Sequence, residues 1–378
     1  MKNINEVKMT VQDRIQKNVL VLQGGGALGS YQAGVYEMLH DNQYEPDWLA
    51  GISIGAINAA IIAGNDFDDR VEKLHEFWNL ITSTPELPFW GKNDVSRMAH
   101  NEMNAFTATS VGTPGFFKPH TKAGIFNPLL SIAMKKISYY DTSPLRETLL
   151  KLVNFDRINS GETRLSIGAV NVKTGNFIYF DSDKMEIKPE HIMASGALPE
   201  GLPPIEIDGE FYWDGGLVCN TPLQYVLDAE HQHNMCIHQI DLFNSEGAMP
   251  ENIFQVQQRL KDIRFSSRTR LNTDVYKDKL EIQHLLSRVI DKLPKDLLPD
   301  DEMQLLTNWA IRRSVNIVHL IYRAKSYETA TKDYEFSELS MQEHWQCGIK
   351  DASKMFENQD WKICHDDKEG VHIFDFSK

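Results

Sequence analysis

Two glycine-rich turns, each set between a strand pattern and a helix pattern, constrain the fold of this chain more than any other feature of its sequence. The first, residues 23–29, follows the apolar run 18–22, and the second, residues 51–55, follows the run 47–50. Successive strand–turn–helix units predict parallel strands joined by right-handed crossovers. Functional groups in such sheets gather at the carboxyl ends of the strands, where both turns lie. We therefore expect an α/β fold with its functional site at these turns.

The second turn has the spacing of a nucleophile elbow, in which glycines flank a serine. Gly51 and Gly55 stand on either side of Ser53 at this spacing. The tight turn leaves no room for side chains at those two positions, and glycine keeps the hydroxyl exposed. Ser53 is therefore the candidate nucleophile. Far downstream, Asp214 ends a strand pattern and enters a glycine turn, so its carboxylate is the candidate base.

Together the three motifs resemble the patatin-like phospholipase family, whose pattern is a glycine-rich oxyanion loop, a G-x-S-x-G elbow and an Asp-Gly-Gly turn in that order. The resemblance covers roughly residues 18–243. It implies a serine–aspartate dyad, with Asp214 as the direct proton acceptor and an acyl-enzyme on Ser53 that water resolves. The backbone amides that it implies as oxyanion donors belong to Gly24, Gly25, Gly26 and Ala27. The other motif glycines are Gly29, Gly51, Gly55, Gly215 and Gly216.

The glycine-rich loop departs from the family pattern at one position. The family usually carries arginine or lysine before the last loop glycine, whereas this chain has Leu28. The resemblance therefore gives no role to a cation beside the loop. The backbone donors are unaffected, because they need no side chain.

Two other site chemistries fit parts of this pattern. The first turn also matches the G-x-G-x-x-G fingerprint of dinucleotide-binding folds, but that fingerprint needs an acidic side chain where the second strand ends, and Ser53 stands there. A Ser-Asp-His triad needs an imidazole, for which His238 and His319, both in apolar strand patterns, are the candidates. The early position of the serine favours the dyad.

The motifs predict a serine hydrolase, and the resemblance implies an acyl hydrolase that acts on carboxylic esters of lipids. It needs no metal and no cofactor, and its partner is a lipid or another acyl ester. Three alternatives stay open. The same dyad could serve a transacylase or a storage-polyester depolymerase, and a chain of this fold could also be a non-catalytic binding module.

Charge and hydropathy limit the partners of the chain. Its 39 Lys+Arg against 53 Asp+Glu give a formal net charge of −14, which argues against nucleic acid and against strong adhesion to anionic membranes. Any membrane-surface contact should therefore be transient, local and largely apolar. No apolar run reaches the roughly 18 residues of a membrane span, and residues 1–17 lack the apolar centre of a signal peptide, so we expect a cytoplasmic chain. The scattered cysteines, Cys219, Cys236, Cys347 and Cys364, are expected to be thiols.

The expected organisation is a catalytic domain followed by an extension. Residues 18–245 should form a three-layer α/β/α domain around a mainly parallel sheet. Within it, residues 83–128 lack periodicity and predict an irregular insertion, either a lid over the substrate or a surface loop. Residues 249–378 predict a mostly helical extension without a chemical motif. Its arginines at 264, 268 and 270 could contact an anionic headgroup or form a solvated helix face, and the second reading is favoured.

Overall fold

The computed structural model describes the chain outside residues 1–15, 86–90, 92, 121–136, 231–232, 267–268, 295–296, 298, 311–312, 359, 363–369 and 377–378. The strands are β1 (Gln16–Leu22), β2 (Trp48–Gly51), β3 (Lys118–Pro119), β4 (Tyr140–Asp141), β5 (Arg164–Asn171), β6 (Phe177–Asp181), β7 (Ile205–Ile207), β8 (Glu210–Asp214), β9 (Asn234–Asp241), β10 (Val315–Ile321) and β11 (Val371–Asp375). Nine of them form one sheet in the order β11-β10-β9-β1-β2-β5-β8-β7, with β6 also paired to β5. The neighbours from β11 to β5 run parallel.

Helices cover both faces of this sheet. The helices of the described chain are α1 (Ser30–Asp41), α2 (Ile54–Ala63), α3 (Arg70–Ile81), α4 (Asp94–Val111), α5 (Ser143–Leu152), α6 (Phe155–Asn159), α7 (Pro189–Ser195), α8 (Leu223–Ala229), α9 (Ile253–Phe265), α10 (Thr269–Ile290), α11 (Asp300–Trp309) and α12 (Glu338–Glu357). Helices α1, α2, α3 and α12 share one core cluster with the sheet, while α8 and α10 share another. The predicted three-layer α/β/α fold is confirmed.

Strand β1 shows why a continuous apolar run suits this architecture. Leu20 and Leu22 belong to the core on one face, whereas Val19 and Val21 belong to the core on the other. Successive side chains of a strand point to opposite faces, so a strand covered on both sides needs apolar residues at every position.

A hairpin with an Asp-Gly turn delivers the candidate base. Asp208 and Gly209 take φ values of 51° and 82°, the left-handed backbone that a tight hairpin turn requires. Strands β7 and β8 pair antiparallel on either side of them. The chain then leaves β8 through Asp214 at the sheet's interior.

The insertion at residues 83–128 is not irregular throughout. Helix α4 lies inside it and begins at a capping box formed by Asn93 and Ser96. Periodicity missed this helix because its buried face carries polar groups, among them Arg97, Asn101 and Asn104, while apolar residues face outward. Residues 86–90, 92 and 121–136 of the insertion lie outside the described part of the chain.

The extension contains the expected helices and also completes the central sheet. Strand β10, the apolar run predicted as a strand, pairs parallel to β9, and β11 pairs parallel to β10. The sheet therefore continues across the expected boundary at residue 249. Of the three arginines, Arg264 lies on α9, whereas Arg268 and the side chain of Arg270 fall outside the description. Among the cysteines, Cys364 also falls outside it.

Candidate active site

Ser53 occupies a strained turn between β2 and α2. Its backbone has φ 54° and ψ −122°, a conformation that side-chain-bearing residues rarely adopt. A Cβ at Gly51 would lie 2.4 Å from the carbonyl oxygen of Gly55, and a Cβ at Gly55 would lie 2.4 Å from that of Leu22. Both flanking glycines are therefore sterically required, and the turn has the geometry of a nucleophile elbow.

The register of β5 explains why Ser53 and Asp214 meet. A strand has two hydrogen-bonding edges, and β6 occupies one of them along most of β5. Strand β2 pairs with the first half of β5 and β8 with its last three residues, so both share the other edge. There β2 ends at Gly51 opposite Ile167, while the antiparallel β8 ends at Asp214 opposite Ala169. The two strands approach head on, which places the serine turn against the aspartate.

Asp214 is a buried carboxylate with an unusual affinity for protons. It is 3% exposed. Burial raises the pKa of Asp214 from 3.8 to about 7, against the opposing effect of hydrogen bonds from the Ser53 side chain and the Gly216 amide. The Gly216 nitrogen lies 2.7 Å from Oδ1 of Asp214. A carboxylate that holds its proton this tightly is a far better base than an exposed aspartate.

The glycine turn after Asp214 is also sterically required. A Cβ at Gly215 would lie 2.6 Å from the carbonyl oxygen of Gly168 on β5. The side chain of Asp214 caps the short 3₁₀ turn that follows it. The turn thus fixes the direction of the carboxylate as well as the path of the chain.

A second serine forms a hydrogen bond with the backbone of the elbow. Ser195, at the end of α7, is fully buried, and its Oγ accepts a hydrogen bond of 2.9 Å from the amide of Ser53. The contact holds the strained residue in place. Sequence reasoning missed Ser195, because only tertiary packing brings α7 to the elbow.

The glycine loop lies in the same site, but its four predicted amide donors are not equivalent. The amide of Gly24 donates to the carbonyl oxygen of Asn220 at 3.1 Å, and that of Ala27 donates to the carbonyl oxygen of Asp333 at 2.8 Å. These two amides are therefore occupied, and the expectation that they donate to an oxyanion is revised. Within the described residues the amides of Gly25 and Gly26 have no hydrogen bond of this kind.

Two residues that carried no motif signal hold this loop. The side-chain nitrogen of Asn220 donates to the carbonyl oxygens of Gly24, at 2.9 Å, and Phe265, at 2.8 Å. Asp333 belongs to residues 325–336, a segment before α12 that we call the strap. A Cβ on Gly26, whose φ is 55°, would lie 1.9 Å from the Asp333 carbonyl oxygen, so this glycine permits the strap's close approach. Gly29, the last glycine of the loop, also has no room for a side chain, because a Cβ there would lie 2.6 Å from the side chain of Ile54 on α2.

The elbow, the aspartate and the loop open into one cavity of about 480 Å³. Ser53, Asp214, Gly25 and Gly26 lie in its wall. Six phenylalanines form much of the remaining wall: Phe106, Phe116, Phe117, Phe243, Phe265 and Phe336. They come from the insertion, the catalytic domain and the extension, so all three parts of the chain shape the cavity. Its apolar wall suits a hydrocarbon ligand.

Neither predicted histidine reaches this cavity. His238 packs edge-on between Tyr44 and Trp361, with ring centroids 4.6 and 4.8 Å away, and burial lowers the pKa of His238 to about 3. His319 lies on β10 opposite Gln239 of β9. Among the described residues that line the cavity, none is a histidine. Of the three candidate partners for Ser53, the described cavity wall contains Asp214 and neither histidine.

Comparison with known families defines the class of protein. The family described as patatin-like phospholipase matches residues 20–227, and a family described as patatin phospholipase matches residues 263–368. The first match covers more than half of the chain. The chain therefore belongs to the patatin-like phospholipase family, as the motifs predicted. Comparison with curated protein sequences finds no match.

Several solved structures show similarity to this chain. VipD from Legionella pneumophila is 13% identical, with 94% of this chain and 72% of that chain covered and a TM-score of 0.37. Human GIVD cytosolic phospholipase A2 is 11% identical, with coverage of 60% and 43% and a TM-score of 0.30. ExoU in the ExoU-SpcU complex of Pseudomonas aeruginosa is 13% identical, with coverage of 78% and 66% and a TM-score of 0.24. At these low scores the similarities assign no residue and no activity to this chain.

Two further findings concern membrane-spanning helices and metal-binding clusters. In the part of the chain that the structure describes, no helix combines the length and the apolar character needed to cross a membrane. The same residues contain no cluster of three or more histidine, cysteine, aspartate or glutamate side chains that could hold a metal ion.

Proposed function

We propose that this chain is a serine acyl hydrolase that cleaves carboxylic ester bonds of phospholipids through Ser53 and Asp214. The observation that carries the proposal is the strand register that places the elbow serine against Asp214, a buried carboxylate whose pKa is raised to about 7. Both groups open into an apolar cavity beside two glycine amides. Nucleophile, base and oxyanion donors are the minimum set for acyl transfer.

In the first half-reaction Asp214 accepts the hydroxyl proton as the Oγ of Ser53 attacks the ester carbonyl carbon. The carbonyl oxygen becomes an oxyanion, and the amides of Gly25 and Gly26 donate to it. When the tetrahedral intermediate collapses, the carbon–oxygen bond to the alcohol breaks. The proton on Asp214 passes to the leaving alkoxide, and the acyl group stays on Ser53.

In the second half-reaction water replaces the alcohol. Asp214 accepts a proton from water as the water oxygen attacks the acyl-enzyme carbonyl, and the same amides stabilise the new oxyanion. Collapse releases the carboxylic acid and returns the proton to the Oγ of Ser53. A base with a pKa near 7 suits both halves, because it must accept and then release a proton near neutral pH.

The cavity supports an acyl chain rather than a headgroup as the buried part of the substrate. Its phenylalanine wall offers apolar contact along a hydrocarbon chain. The charged side chains that line it in the described structure are the acids Glu102, Asp214 and Asp333, so a phosphate would find no cation in this wall. The polar headgroup should therefore stay outside.

Hydrolysis of a soluble short-chain ester tests the proposal directly. We expect Ser53→Ala to lower kcat by at least a thousandfold, because loss of a nucleophile removes the covalent route. Ser160→Ala, which removes a hydroxyl at an exposed position, is the matched control and should retain full activity. Product analysis then separates the alternatives, since a transacylase passes the acyl group to an added alcohol and a depolymerase requires a polyester. A folded Ser53→Ala protein with wild-type turnover would refute the assignment.

A further inference from the structure

Helix α9 presents an apolar stripe that is exposed in the described part of the chain. Ile253, Val256, Leu260 and Ile263 recur at helical spacing, so they lie along one side of the helix. All four are exposed, as is the neighbouring Phe254. Helix α9 buries none of its residues. An exposed apolar stripe of this kind is typical of a surface that binds a partner or a membrane.

Helix α4 presents a second apolar face. Val95, Met98, Met103 and Phe106 are exposed there. The acidic residues at 94 and 102 on this helix are turned to the strap, where they bind the hydroxyl groups of Ser326, Thr329 and Thr331. Glu102 is itself exposed and lies one turn from both Met98 and Phe106, so one carboxylate, hydrogen-bonded to the strap, interrupts an otherwise apolar outward face.

Both faces border the mouth of the catalytic cavity. Phe106 lines the cavity and is still 56% exposed, so it stands at the opening. Phe265, the last residue of α9, lines the cavity from the other helix. The strap joins the two helices, because it binds α4 through its hydroxyls and α9 through the ion pair of Lys332 with Asp262. Each helix thus reaches the opening through its C-terminal part, and its apolar face extends away from there.

The charge beside this opening fits a phospholipid surface. The exposed guanidinium of Arg264 lies 5.4 Å from the ring centroid of Phe265, next to the cavity. It is placed to contact a lipid phosphate while the apolar side chains enter the acyl region. Because the chain carries a formal net charge of −14, burial of apolar surface must supply most of the binding free energy.

We propose that the outward faces of α4 and α9 form a docking surface for a phospholipid bilayer, which places the cavity mouth against the lipid. The proposal rests on the proposed function, since lipid entering the cavity is what the docking would serve. The bilayer is the favoured occupant because the two faces are continuous with the opening through which an acyl chain must pass. A second copy of the chain would instead close that opening.

Vesicle binding tests this surface without any catalysis. The protein carries Ser53→Ala throughout, and the probe is phosphatidylcholine vesicles in a sedimentation assay. We expect Val95→Asp with Met98→Asp, and separately Ile253→Asp with Leu260→Asp, to weaken binding at least tenfold. The control pair, Leu150→Asp with Leu285→Asp, replaces exposed leucines that do not line the cavity and should change binding less than twofold. Circular dichroism confirms that each variant is folded.

Three results would overturn the docking proposal. The double variants on α4 and α9 could bind vesicles as well as the control variant does, or the protein that carries Ser53→Ala alone could show no vesicle binding at all. Alternatively, sedimentation velocity could show a dimer that the substitutions on α4 and α9 dissociate, which would assign the two faces to contact with a second copy. Turnover of a soluble ester by the same pairs in the Ser53-intact chain should stay near wild type. If the wild-type chain hydrolyses no ester, the proposed function is refuted, while the result of the vesicle assay still stands.

Discussion

Asp214 and Ser53 are separated by most of the catalytic domain in sequence, yet each occupies a turn whose local chemistry is readable. Glycines at 51 and 55 leave space that the elbow backbone fills, and a Cβ at either would collide with a carbonyl oxygen. Such requirements are written into adjacent residues, so sequence can predict them. Ser195, Asn220 and Asp333 carry no such signal. Each acts through a contact between distant elements, which the sequence alone does not reveal.

Asp214 should destabilise the fold at the pH where it serves as a base. Burial raises its pKa in the folded chain from 3.8 to about 7, so between these values the folded state binds more protons than the unfolded state. The free energy of unfolding therefore falls as pH rises from about 4 to about 7. The full difference corresponds to about 4 kcal/mol.

Asp214→Asn removes this titration and should stabilise the chain at high pH. We expect the variant to gain a few kcal/mol over wild type at pH 8, and to gain little at pH 4, where the wild-type carboxyl is already neutral. Urea unfolding at both pH values measures the difference. Equal stability of the two proteins at pH 8 would show that the carboxylate is not desolvated as the structure indicates.

At the scale of elements, the predictable parts were those whose apolar residues face the core. Strand β1 and the hairpin of β7 and β8 follow from alternation and turn residues. Helix α4 did not, because its buried face is polar and its exposed face apolar. The polar face of α4 can be buried because it meets polar partners from distant elements. Arg97, for example, donates to Glu343 of α12 at 2.9 Å, a contact that no local sequence pattern predicts.

The strap is the element that couples the extension to the oxyanion loop. Lys332 and Asp262 form a 2.7 Å ion pair, and the lysine side chain is almost fully buried. The next residue, Asp333, supplies the carbonyl that accepts from Ala27, and its own side chain binds Lys261. Paired charges thus hold the backbone that positions Gly25 and Gly26. Breaking a buried pair by removing one partner costs roughly 3–5 kcal/mol.

Lys332→Asp should therefore lower kcat on a soluble ester by roughly tenfold or more while leaving KM nearly unchanged, because the oxyanion amides act mainly in the transition state. The exchanged pair, Asp262→Lys with Lys332→Asp, restores an ion pair and should recover part of the lost kcat. A purely structural role would lower the amount of folded protein without changing kcat per folded active site. Recovery of folding without recovery of kcat in the exchanged pair would contradict the positioning role.

At the scale of the whole molecule, the family match and the structure divide the chain differently. The two family matches leave residues 228–262 between them, and the sequence pattern predicts a boundary at 249. Yet β10 and β11 extend the same sheet, and Phe265 and Phe336 line the same cavity as Ser53. Parallel strand order depends on contacts between residues far apart in sequence, so composition and periodicity could not predict this union. We propose that the catalytic domain and the extension act as one unit.

The pairing of Ser53 with Asp214 is tested by the rate at which a fluorophosphonate labels the serine, followed from pH 5 to pH 9. We predict that wild-type labelling rises with pH to a plateau, with a midpoint near pH 7 set by the pKa of Asp214. His238→Gln and His319→Gln should reproduce this profile, because neither ring lines the cavity. Asp214→Asn, folded by circular dichroism, should label at least a hundredfold more slowly and without the same pH dependence. A folded histidine variant that fails to label, or an Asp214→Asn protein that labels as wild type does, would contradict the Ser53–Asp214 dyad.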